Sequence, residues 1–114
     1  MKKILLAISL ALTLVGCKTT EPLYYYGDYT KAVYSYFKAD EVTLEEQINA
    51  LQLILSAAEA QNKSVAPGFH AHLGMLYFET GNPTLGVQHL ETEKSLFPES
   101  TQYVDFLLRS VKDA

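Results

Sequence analysis

Three histidines, one cysteine and a scatter of carboxylates and hydroxyls are the side chains that could carry chemistry in this 114-residue chain. His70 and His72 lie two residues apart, a spacing that on a helix sends the rings to different sides. His89 and Glu93 are four apart and share a face, but two ligands fall short of the three or four that a zinc centre takes. That pair reads as a solvated helix face, and His70 as a core histidine with a hydrogen-bond partner. The serines are scattered, and none sits in a nucleophile-elbow motif. Glu91 and Glu93 are two apart and cannot act together, while Glu41, Glu45 and Glu46 form an acidic helix start that the helix dipole favours. There is no glycine-rich phosphate loop. The reading is of a chain with no catalytic residues, no metal site, no cofactor and no small-molecule substrate: not an enzyme.

The cysteine has a different chemistry. Lys2-Lys3 precedes an apolar run from Ile4 to Val15, broken by Ser9 and Thr13. The run is shorter than the roughly 20 apolar residues of a membrane span. It ends in Leu14-Val15-Gly16-Cys17, which resembles the bacterial lipobox. In that motif the thiol receives a diacylglycerol, and the small residues before it fit the peptidase that then cuts. Residues 1–16 therefore read as a lipoprotein signal peptide, Cys17 as the lipidation site and residues 17–22 as lipidated cysteine and tether. Residues 23–114 are the folded domain. Each buried methylene of an acyl chain contributes about 0.8 kcal/mol, so several chains together hold a protein on a membrane. Lys18 stands where an inner-membrane retention signal would carry Asp, and by resemblance to sorted lipoproteins this implies the outer membrane, facing the periplasm. Cys17 is the sole cysteine, leaving no disulfide and no second thiol.

Charge narrows the partners. Without Lys2 and Lys3 the chain holds seven basic and thirteen acidic side chains, a balance of −6. Such a domain is repelled by an anionic membrane, so the lipid must supply attachment, and no Lys/Arg cluster could track a nucleic-acid backbone.

The elements that position these residues are helices. Asp28 can cap a helix over Tyr29–Lys38, with Tyr29, Val33, Tyr36 and Phe37 on one face and Tyr34 to one side. Thr43 with Glu46 three residues on matches a capping box, and opens a helix from Leu44 to about Gln61. Its stripe is Leu44, Ile48, Leu51, Leu55 and Ala58, widened by Gln47, Ala50, Ile54 and Ala57. Next comes a hairpin over Pro67–Pro98, turning at Thr80-Gly81-Asn82-Pro83. His70, Leu73, Gly74 and Tyr77 face one way in its first helix, and Gly74 predicts a neighbouring helix crossing close by. A last amphipathic helix carries Tyr103, Val104, Leu107, Leu108 and Val111. About five helices and no strands are expected.

Spacing along Pro67–Pro98 resembles the tetratricopeptide (TPR) repeat. Leu73, Gly74 and Tyr77 fall at its leucine, glycine and tyrosine positions, Gly86 at a small-residue position, Leu90 at a large apolar one and Pro98 at the closing proline. Glu93 stands where alanine usually packs, which predicts looser contact with the last helix. Tyr29–Ala60 looks like a degenerate second pair, with the final helix as the cap that repeats need. The fold class implied is all-α: TPR-like antiparallel helical hairpins with a C-terminal capping helix. Taken whole, the lipobox with LYYYGDYTKAVYSYFK, VAPGFHAHLGMLYFETGN and EKSLFPES resembles a family of small proteobacterial lipoproteins of unknown function. Its members are often encoded beside a lipoprotein resembling the curli secretion channel. That implies a multi-lipoprotein assembly and carries over no catalytic residue.

The tyrosines are what such a fold leaves over. Six of the eight fall between Tyr24 and Tyr36. Tyr29, Tyr36 and Phe37 read as core. Tyr24, Tyr25 and Tyr26 are consecutive and cannot all point inward from one helix, and near a lipid anchor they suit a protein interface or the membrane surface. The expected function is an outer-membrane adaptor that binds another envelope protein, such as a curli-secretion-channel-like lipoprotein. Tyr24, Tyr25, Tyr26, Tyr34, His72 and Tyr77 are the candidate contacts. The alternatives are a self-associating subunit around such a channel, touching a neighbouring copy through Glu93 and the last helix, or a regulator of an envelope enzyme.

Overall fold

The computed structural model bears out the five expected helices. It describes residues 1–5, 22–38 and 42–113. Cys17, most of the lipobox-bearing segment, the tether as far as Glu21, and Glu41 lie outside the described residues. Helix α1 spans Tyr29–Lys38, α2 Leu44–Ala60, α3 Phe69–Glu79, α4 Pro83–Leu96 and α5 Thr101–Lys112, the last entered through a 3-10 turn at Pro98–Ser100. Thr43 and Glu46 close the capping box on α2: the Glu46 N–H donates to Thr43 Oγ1 at 3.2 Å, and the Thr43 N–H donates to Glu46 Oε2 at 2.8 Å.

Helices α2 and α3 stop in the same way. The chain leaves α2 through Asn62 at φ 53° and α3 through Gly81 at φ 81°. The Lys63 and Asn82 N–H groups return to Ala58 and Tyr77 carbonyls at 2.9 and 2.8 Å, the double closure of a Schellman motif.

Two short strands depart from the all-helix expectation. β1 (Tyr24–Tyr25) and β2 (Ser64–Val65) pair in parallel, Tyr24 opposite Ser64 and Tyr25 opposite Val65. The chain continues in the same manner beyond each of them. The Tyr29 N–H donates to the Tyr26 carbonyl at 2.8 Å, and the Phe69 N–H to the Ala66 carbonyl at 3.2 Å, so each strand feeds a tight turn and then a helix that begins on an aromatic ring. Those rings, Tyr29 and Phe69, touch at 5.2 Å between centroids. The chain is thus two strand-turn-helix-helix units, 24–60 and 64–96, set side by side and followed by α5.

One core lies among α1, α2 and α3, where Ala32, Leu51, Ile54, Ala58, Phe69 and Leu73 are buried. A second, made by Ala71, Leu90, Val104 and Leu107, joins α3, α4 and α5. Full burial of one such leucine or phenylalanine stabilises by about 1.5–3 kcal/mol. The expected α2 stripe holds, with Leu51 and Ala58 at its centre and the polar Gln47 as buried as they are. Ala32 rather than Phe37 faces the core from α1; Phe37 is 78% exposed, because the position it occupies looks onto open space between helices.

The close crossing expected at Gly74 is present and reciprocal. A Cβ on Gly74 would stand 2.9 Å from the Gly86 carbonyl oxygen, and one on Gly86 would stand 3.0 Å from the Gly74 oxygen and 2.7 Å from the Phe78 ring. The two glycines let the backbones of α3 and α4 meet, which locks the second hairpin.

Glu93 corrects the expectation of loose packing and that of a solvated His89–Glu93 face. Its side chain is 1% exposed. Gly68, at φ 93°, precedes α3 and has no side chain to cap the helix. Glu93 supplies the cap from α4 instead: its Oε1 accepts from the Gly68 N–H at 2.6 Å and its Oε2 from the Ala71 N–H at 3.3 Å. A carboxylate against those free N–H groups sits where the helix dipole favours negative charge. Buried in this way, it is also out of reach of a neighbouring copy.

Candidate functional site

The odd-numbered helices α1, α3 and α5 enclose a groove of about 250 Å³. α1 supplies Tyr29, Val33, Tyr36 and Phe37, α3 supplies Ala71, His72 and Met75, and α5 supplies Tyr103. Helical periodicity explains the set: Tyr29, Val33, Tyr36 and Phe37 recur at three- and four-residue steps, as do His72 and Met75. Phe37 and Tyr103, 78% and 57% exposed, form the outer walls. His72 lies deep, its ring edge-on to Tyr36 at 4.8 Å and tilted against Tyr29 at 6.4 Å.

The groove is polar at a few points, and among the described residues no charged side chain lines it. Burial lowers the His72 pKa, so the ring is neutral at neutral pH. Its Nε2 is buried without a hydrogen-bond partner. Burial, and secondarily the Glu93 carboxylate behind it, pushes the Tyr29 hydroxyl up. Tyr36 is likewise raised, by burial and then by Glu79, to whose Oε1 its hydroxyl donates at 3.2 Å. The hydroxyls therefore stay protonated donors, set in an apolar wall. Such a surface suits side chains of another protein, since amphipathic aromatic rings dominate protein contacts.

Of the six candidate contacts, His72 alone lines this groove. Tyr24 is half-buried in β1 with its ring edge-on to Phe97 at 5.9 Å. Tyr25 packs on the first core and folds its ring over Gly27. Tyr26 is 46% exposed at the turn into α1, and Tyr34, 62% exposed, holds the Lys38 ammonium 5.5 Å from its ring centre. Tyr77 points the other way from His72. It stacks on His89 at 5.4 Å and accepts from Gln52 Nε2 at 2.9 Å. Tyr29, Tyr36 and Phe37 are groove residues that sequence reasoning assigned to the core, Tyr103 one that it placed on the apolar face of the last helix, and Ala71 and Met75 ones that it missed. The i, i+4 relation of Val33 to Phe37 was visible, but not that the opposite bank would be α5.

His70 does have its partner. It is 7% exposed, and its Nδ1 lies 3.1 Å from His89 Nδ1. Only one of the facing nitrogens can carry a proton, so the contact needs both rings neutral or one shared proton. Burial, with His89 adding to it, pushes the His70 pKa down to about 4. Among the described residues no group of three or more His, Cys, Asp or Glu could hold a metal ion.

No curated protein and no solved structure matches the chain. A family model does: the domain of unknown function DUF4810 matches residues 23–107, from the residue before β1 into α5, and so takes in both strand-turn-helix-helix units and every residue of the groove. The chain belongs to the DUF4810 family.

Proposed function

We propose that this protein is a lipid-anchored adaptor of the outer membrane, whose TPR-like domain docks a segment of another envelope protein in the groove between α1, α3 and α5. The observation that carries the reading is the groove itself. It is walled by the first helix of each unit and by the terminal helix, and its two outermost aromatics, Phe37 and Tyr103, are left open to solvent. Large aromatic rings left exposed on both banks of one cleft mark a contact surface. The sequence from Lys2 to Cys17 supports the anchor, and Lys18 supports the outer membrane with the domain facing the periplasm. A curli-secretion-channel-like lipoprotein is the partner that the family resemblance favours.

The test compares what the tagged full-length protein retains from solubilised envelopes with what Phe37→Asp and Tyr103→Asp variants retain. Both positions are exposed, so the fold tolerates the changes. Loss of one and the same envelope partner from both variants supports docking in the groove. Retention of that partner by both variants sinks it, and recovery of the protein's own second copy alone would favour the self-associating subunit.

A further inference from the structure

A second hollow adjoins the groove across the wall that Tyr36 and Phe37 form, their rings packed edge-on at 5.4 Å. It measures about 630 Å³, and its other described sides are Val42, Thr43, Leu44, Gln47 and Glu79. Three of its features point to one kind of occupant. Gln47 is 3% exposed and gives its Nε2 to the Val42 carbonyl at 3.3 Å, while its Oε1 has no partner. A buried amide oxygen without a donor is costly to maintain, and asks for an N–H from outside. Beside it stands the Glu79 carboxylate, oriented by the Tyr36 hydroxyl at 3.2 Å. The Phe37 ring, 78% exposed, offers a π face. An acceptor oxygen, a carboxylate and an open aromatic face are together what an ammonium or guanidinium group binds.

Among the described residues no cation lines the hollow. Lys38, next to Phe37, directs its ammonium to the Tyr34 ring. The balance of −6 beyond the first 16 residues works in the same direction, drawing basic segments toward the domain. An acidic or phosphorylated ligand would be set against the Glu79 carboxylate and the Gln47 amide oxygen. A wholly apolar one would leave Gln47 Oε1 without a partner.

We propose that this hollow takes a lysine or arginine side chain of the docked segment, whose apolar side chains enter the groove on the other side of the Tyr36–Phe37 wall. This rests on the adaptor reading and deepens it: the partner segment would carry a basic residue close to an aromatic or aliphatic one.

The probe is the dipeptide acetyl-Phe-Arg-amide, titrated into the isotope-labelled full-length chain in dodecyl maltoside micelles, which have neither charge nor amine. Its control is the same dipeptide with citrulline, which keeps arginine's shape without the charge. Saturable shifts of the Gln47 side-chain amide and the Phe37 ring are expected with arginine, with binding about tenfold weaker for citrulline. Glu79→Gln, at an exposed site, should bring the arginine dipeptide down to the citrulline level. Equal binding of the two peptides, indifference to Glu79→Gln, or no saturable shift at Gln47 would each overturn the proposal. Should the peptide fail while Phe37→Asp and Tyr103→Asp still lose an envelope partner, docking in the groove stands and the cation hollow alone falls.

Discussion

Glu93 shows how much one side chain can decide. By the repeat pattern alanine belongs there, and by its chemistry a carboxylate belongs in water; it is instead the cap of a neighbouring helix. Glu93→Ala should therefore destabilise the domain, by about 1.5–3 kcal/mol, although it restores the residue the pattern prefers. Urea unfolding of the two proteins measures this, and an unchanged midpoint would remove the cap from the account. His70 makes a second prediction at this scale. Its folded pKa, about 4, lies below the ordinary value of 6.5. The unfolded chain thus binds the proton more readily, and the stability that the neutral ring contributes is complete above pH 6.5 and lost as pH falls from 6.5 toward 4. His89 is lowered too, by burial, and adds to the same slope. Denaturant midpoints taken between pH 7 and pH 4.5 should fall for the wild type and fall less for His70→Leu. Parallel slopes would mean that the His70–His89 contact is irrelevant to acid sensitivity.

The helices were legible in the sequence because each is written locally, in a capping box at Thr43, a proline at Pro83 and a glycine or asparagine just past the end. The crossing of α3 and α4 was legible for a similar reason: glycine is costly inside a helix, so Gly74 had to be repaid by proximity. Gly74→Ala tests that directly. The added methyl gains about 1 kcal/mol of helix propensity but meets the Gly86 carbonyl, a backbone atom that cannot turn aside, so a net loss of about 1–3 kcal/mol is expected. A melting temperature equal to or above that of the wild type would mean that the helices can part without cost. What the sequence hid were contacts between distant segments. Two-residue strands have no periodicity to read, and the pairing of Tyr24 with Ser64 depends on two turns 40 residues apart adopting the same shape. The consecutive tyrosines suggested a surface, yet Tyr24 and Tyr25 are drawn inward by that ladder, and Tyr77 by His89 and Gln52. The groove has members on three helices; the pattern of α1 gave the face of Tyr29, Val33, Tyr36 and Phe37, but as core, and His72 alone was named as a contact.

At the scale of the molecule, the two matching units set α1 beside α3, and α5 supplies the opposite bank. Packing between the units thereby builds a groove that neither unit has alone. Among the described residues no helix is long and apolar enough to cross a membrane. In the proposed arrangement Cys17 carries the attachment. Cys17→Ser should shift the protein from the membrane to the soluble fraction and abolish incorporation of labelled palmitate. Unchanged fractionation and labelling would refute lipidation at this thiol. In the proposed arrangement six residues join Cys17 to Tyr24, so β1 begins no more than about 25 Å from the lipid surface. The most direct measurement is in-cell photocrosslinking of the full-length protein, with the reactive group placed in turn at Phe37, Tyr103 and, as a control outside the groove, Val87 on α4. Docking in the groove predicts that Phe37 and Tyr103 capture the same envelope protein and Val87 does not. Equal capture from all three positions, or no capture from the two groove positions, would contradict it.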